Sequence, residues 1–150
     1  MSGVLFNIVE YAGQVIEALT PASPGAGELR ASYVRVAHRK VPTNASGDRT
    51  FWFDLANTAF EQTSTHATGL WTRARVTVPL HLRIAGFGPD DYLGIERMAH
   101  DVLQVITAIN TDSLWPANTV RVHVDAQPSF DRTDQDAVAV IPISIEFEEV

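Results

Sequence analysis

The chain has 150 residues, 45% hydrophobic and 19% charged, with a net charge of −7 and no cysteine. That length and balance suit one globular domain spanning residues 1–150. The missing cysteines exclude a disulfide framework, a thiolate metal site and a Cys nucleophile. The acidic balance disfavours tight nucleic-acid binding, which depends on a basic surface that releases counterions. No apolar run approaches the ~20 residues of a membrane-spanning helix. Met1-Ser2-Gly3 carries no positive n-region, so a chain made in the cytoplasm is expected.

In chain order, Ser2 can cap a first helix with Leu5, Ile8, Val9, Ala12, Val15, Ile16 and Leu19 as its apolar stripe. Thr20-Pro21 stops it, and a breaker-rich connection runs from Pro21 to Gly27. Arg30 to Val41 is the first strand candidate, and Pro42 to Asp48 a turn cluster. In Arg49 to Ala56 the side chains of Phe51, Phe53 and Leu55 alternate with Trp52 and Asp54, so Trp52 points away from the two Phe rings. An outward Trp covers a partial core or meets another subunit. Asn57 to Leu70 is polar, rich in Thr and Ser, and reads as a long loop or the tip of a hairpin arm.

Thr72 to Ile84 is the stretch around which the rest is organised. Ala74, Val76, Val78, Leu80, Leu82 and Ile84 alternate with Arg73, Arg75, Thr77, Pro79, His81 and Arg83. Period two predicts a long strand with one dry face and one wet, basic face. After Gly86-Phe87-Gly88, Pro89-Asp90-Asp91 opens a second helix that buries Leu93, Met98, Val102, Val105, Ile106 and Ile109 and ends near Asn110. Val120 to Asp125 is a strand with Val120, Val122 and Val124 inward, followed by a polar turn from Gln127 to Asp136. Ala137 to Glu149 is a last long strand with Ala139, Ile141, Ile143, Ile145 and Phe147 on its dry face. Pro79 and Pro142 lie inside long strands and cannot donate to a ladder, which predicts edges or bulges there. Together these elements predict an α+β domain, a mostly antiparallel or mixed sheet packed by two helices in the order α-β-β-β-α-β-β.

The chemistry-bearing patterns are sparse. Gly86-Phe87-Gly88 begins a dinucleotide fingerprint, but Asp91 stands at the third glycine's place and would repel a pyrophosphate. Glu96 and His100 lie one helical turn apart with no second pair to complete a metal site. His81 and His123 are expected on neighbouring strands as an ordinary polar-face pair, not a ligand set. Asp131, Asp134 and Asp136 lack the spacing of a calcium loop. No G-x-S-x-G elbow is present. No catalytic residue, cofactor or metal is therefore assigned. The row of Arg73, Arg75, His81 and Arg83 is either a solvated sheet face or a contact with an acidic surface of another copy, such as Glu146, Glu148 and Glu149. The subunit-interface candidates are Arg73, Arg75, Arg83, Glu146, Glu148, Glu149 and Trp52.

Three segments, T-R-A-R-V-T-V-P-L-H-L-R-I, E-R-M-A-H-D-V-L-Q-V-I-T-A-I and A-V-I-P-I-S-I-E-F-E-E-V, together with the order of elements, resemble the tail terminator proteins of long-tailed bacteriophages, the minor tail protein U-like group. The resemblance covers nearly the whole chain as a pattern and contains no catalytic or ligand motif. It implies a sheet flanked by helices, assembled as a hexameric ring at the head–tail junction of the virion. Such a ring caps the tail tube, stops its growth and offers a surface to the head-side connector, while DNA passes through without specific binding. Rival expectations are another head–tail joining, tail-completion or tail-tube protein, a small α+β ligand-binding domain or enzyme with a pocket between the second helix and the sheet, and a nucleic-acid-binding domain.

Overall fold

A computed structural model describes residues 3–21, 32–36, 49–65, 72–85, 92–132 and 136–149. These form, in order, α1 (Val4–Glu17), β1 (Val34–Arg35), β2 (Thr50–Phe53), β3 (Ala59–Thr65), β4 (Thr72–Ala85), α2 (Tyr92–Thr111), β5 (Thr119–His123), β6 (Ser129–Arg132) and β7 (Asp136–Glu149). The fold is α+β, as the alternating and helical patterns predict. Among the described residues, two helices accompany a seven-stranded mixed sheet of order β1-β2-β4-β7-β5, with β3 also paired to β4 and β6 to β7. The β1–β2 pair is parallel and every other pair antiparallel.

The spine is the β4–β7 ladder, 14 residues on each strand, in register from Thr72 opposite Glu149 to Ala85 opposite Asp136. Its dry face follows the period-two pattern without a break. Ala74 to Ile84 on β4 and Ala137 to Phe147 on β7 put every second side chain into one core, joined by Ile8, Val9, Ala12 and Ile16 of α1 and Met98, Val102, Val105 and Ile109 of α2. Each fully buried Leu, Ile or Val there contributes about 1.5–3 kcal/mol before entropy is counted. The sheet and the helices therefore hold each other in place, and the β-branched α1 does not rely on its own propensity.

Pro79 and Pro142 do not lie on edge strands: they face each other at the middle of the central ladder. The reason is local. On the far side of β4, β2 ends at Phe53 opposite Leu80 and β3 begins at Ala59 opposite Thr77, so Pro79 falls in the gap between them. On the far side of β7, β5 ends opposite Ser144 and β6 begins opposite Val140, so Pro142 falls in the matching gap. Pro79 still accepts a 2.8 Å bond from the Asp54 N–H, but it has no N–H to return. The Asp54 carbonyl takes the Asn57 N–H instead at 3.3 Å, which ends β2 and starts the 3-10 turn Leu55–Asn57. The proline pair thus divides the sheet into two ends, β3-β4-β7-β5 and β1-β2-β4-β7-β6.

Three expectations change. Much of the polar stretch 57–70 is strand: β3 pairs with Thr72 to Thr77, with a register shift between Gln62 and Ser64. An edge strand buries little of its own surface, so β3 needs no apolar alternation and its sequence looks like a loop. Likewise β6 forms inside the expected turn by pairing with β7. Val120 is exposed because a register shift between Thr119 and Arg121 turns it out, while Val122 and Val124 are buried as expected. The first helix runs from Val4 with Gly3 at its N-cap position. Ser2, most of the connection after Pro21, the ends of the first strand candidate, the turn 42–48, residues 66–70, Gly86-Phe87-Gly88, Pro89-Asp90-Asp91 and Asp134 lie outside the described residues.

Candidate assembly interface

The face of the sheet turned away from the helices carries the charged candidates. At the β3-β4-β7-β5 end, register sets Glu61 beside Arg75, Arg75 beside Glu146, and Glu146 beside Arg121. The Arg75 guanidinium donates to the Glu146 carboxylate at 2.9 Å from Nε and 2.6 Å from Nη2. That hydrogen bond, then the charge of Glu146, raises the Arg75 pKa above its ordinary value. One row along, Arg73 donates to Glu148 at 2.6 Å. The basic row and the acidic terminal strand that the sequence suggests as two sides of a subunit contact therefore meet inside one chain, because β4 and β7 are direct neighbours. Glu149 pairs through its backbone with Thr72.

At the other end the same face is covered. Arg83 and Trp52 are only 5% and 7% exposed, so neither presents a free surface as drawn from the sequence. Trp52 does point opposite to Phe51 and Phe53: it sits across from His81 and stacks on its ring, with centroids 5.0 Å apart. His81 Nε2 lies 3.4 Å from an Asp54 carboxylate oxygen, which also accepts from the Asn57 amide at 2.7 Å. His81 and His123 are not on neighbouring strands, since β7 runs between β4 and β5, and His123 pairs with Asp125 at 3.1 Å. Glu96 and His100 make a 3.5 Å contact on the exposed surface of α2.

Sequence patterns missed a buried ion pair. The Arg49 guanidinium donates to Asp101 at 2.8 Å and 3.4 Å, and both side chains are fully buried. Arg49 has φ 55°, a conformation that costs a non-glycine residue about 1–2 kcal/mol. Its backbone joins two strands, accepting from the Val34 N–H at 2.9 Å and donating to the Arg83 carbonyl at 2.7 Å. One signal was present: Asp101 stands three residues after Met98 and four before Val105, on the apolar stripe of α2.

Two open clefts flank this frame. One of about 750 Å³ is lined by Glu10, Glu17, Arg35, Phe53, Asp54 and Leu55. Arg35 crosses it, bonding Glu10 at 2.9 Å and lying 5.0 Å over the Phe53 ring. It passes so close to α1 that a Cβ on Gly13 would sit 3.0 Å from its guanidinium. The other, of about 650 Å³, lies between the helices beside Tyr11, Leu19, Asp112 and Leu114. In the second, the Tyr11 hydroxyl donates to the Asp112 carboxylate at 3.1 Å.

Large apolar side chains stand exposed on edge strands at both flanks of the sheet: Phe60 on β3 (67% exposed), and Val120 on β5 (40%) and Phe130 on β6. An unpaired strand edge bearing apolar groups is a ready site for a further strand. No protein-family model matches the chain, and no curated protein is significantly similar to it.

Proposed function

We propose that the chain is a structural subunit that closes on copies of itself into a ring, and that the ring is a tail terminator of a long-tailed phage. In that role it caps the tail tube and joins it to the head-side connector. The observation that carries the assembly half is the pair of differing sheet flanks, β3 with Phe60 on one and β5 and β6 with Val120 and Phe130 on the other. A ring requires two unlike, complementary surfaces on each subunit, whereas a twofold dimer uses one surface twice. The terminator half rests on the resemblance of the long strands and second helix to that family.

The test is negative-stain imaging and native mass spectrometry of the purified full chain. A six-fold ring with a central hole, binding tail-tube subunits at one face, is the expected result. A chain that stays monomeric at every concentration, or a ring indifferent to tail-tube and connector proteins, counts against the role.

A further inference from the structure

We infer that neighbouring copies join by adding β3 of one chain to β5 of the next, in the register that sets Glu61 of one beside Arg121 of the other. This deepens the ring proposal by naming its joint.

The strand order at this end is β3-β4-β7-β5, and each pair is antiparallel. By alternation β3 and β5 run in opposite directions. A β5 edge meeting the β3 edge of a second copy would therefore continue the sheet as an ordinary antiparallel pair. Across this row the charges read Glu61, Arg75, Glu146, Arg121, beginning negative and ending positive. Joined end to end, the alternation continues unbroken from one chain into the next. Pairing β3 with β3, or β5 with β5, in the same register would set like charges face to face.

The two outer charges have capacity for this. Glu146 is engaged by Arg75 at 2.6 Å, and among the described residues neither Glu61 nor Arg121 takes part in an ion pair. The opposite face agrees. With Glu61 beside Arg121, antiparallel register puts Phe60 across from Val122, on the face that carries the core. The exposed Phe60 ring would then be covered by the same joint. The occupant is a second copy of this chain because each edge carries the complement of the other.

Two charge reversals, E61K and R121E, test the joint by sedimentation velocity at low salt, with circular dichroism to verify folding. Each variant alone should associate about tenfold more weakly than the parent. An equal mixture should recover, since the reversed charges then face one another. A second variant avoids repulsion within the chain: E61C/R121C, in a protein with no other cysteine, should give a ladder of cross-linked oligomers on oxidation that collapses with reductant. Reversal variants that assemble like the parent, a mixture no better than its parts, or a double-cysteine chain that stays monomeric under oxidation while the parent forms rings, would each overturn this joint and leave the ring standing. A parent that never self-associates would remove the ring and the joint together.

Discussion

The two ends of the β4–β7 ladder treat the same wet face in opposite ways. At the β3/β5 end Arg73 and Arg75 are 44% and 46% exposed, and their partners Glu148 and Glu146 stand beside them half-buried. At the β2/β6 end Arg83 and Trp52 are covered on that face, and behind it, on the helix side, Arg49 is buried against Asp101 of α2. One strand with one sequence period therefore has a solvated ladder and a sealed cluster, divided at the Pro79–Pro142 pair. The lesson is that a polar face is a placement, and burial depends on what the neighbouring strands bring over it. Charges at the open end are held by water and by each other, so they remain available to a partner. Those at the sealed end are committed to the fold.

Breaking the sealed end should have the largest effect. D101A leaves the Arg49 guanidinium buried without its carboxylate and should cost about 3–5 kcal/mol, read as a lower urea midpoint. A loss under about 1 kcal/mol would mean that this end is no more sealed than the other. At the open end R73A should cost only about 0.2–1 kcal/mol, because an exposed pair gains little over water and is screened by salt. A loss comparable to that of D101A would erase the contrast.

The smallest effect sharpens the comparison on the helix side of the open end, where Tyr11 bonds both Asp112 oxygens, at 3.1 Å and 3.2 Å, and packs edge-on against Trp115. Burial first, then the hydrogen bond to Asp112 and its charge, raise the Tyr11 phenol above its ordinary value. The neutral phenol is thus favoured in the folded chain. Its contribution is complete below the ordinary phenol pKa of about 10 and is lost as pH rises through the higher folded value. Thermal scans should show stability falling at alkaline pH, with a shallower fall in Y11F. Equal slopes for both chains would show that Tyr11 plays no part.

Much of the fold was legible from residue order. The period of two in Thr72–Ile84 and Ala137–Glu149 placed both long strands and their dry faces, and the helical stripes of α1 and α2 marked most of the side chains that cover them. The weak elements were not legible. β3 and β6 are strands because β4 and β7 offer them hydrogen bonds, and nothing in A-F-E-Q-T-S-T or S-F-D-R requires it. Arg49 and Asp101 are far apart in the chain, so their pairing left no local trace beyond a carboxylate on an apolar stripe.

Sequence alone determined the α+β class and which side chains enter the core, since period and hydrophobicity are local properties that water reads directly. Only the tertiary structure decided that Arg73 and Arg75 face Glu148 and Glu146 within one chain, that two prolines can share a central ladder, and which strand edges are left open. Those depend on which strands lie side by side. That choice is made by the whole sheet closing over its helices, and no short window of residues contains it.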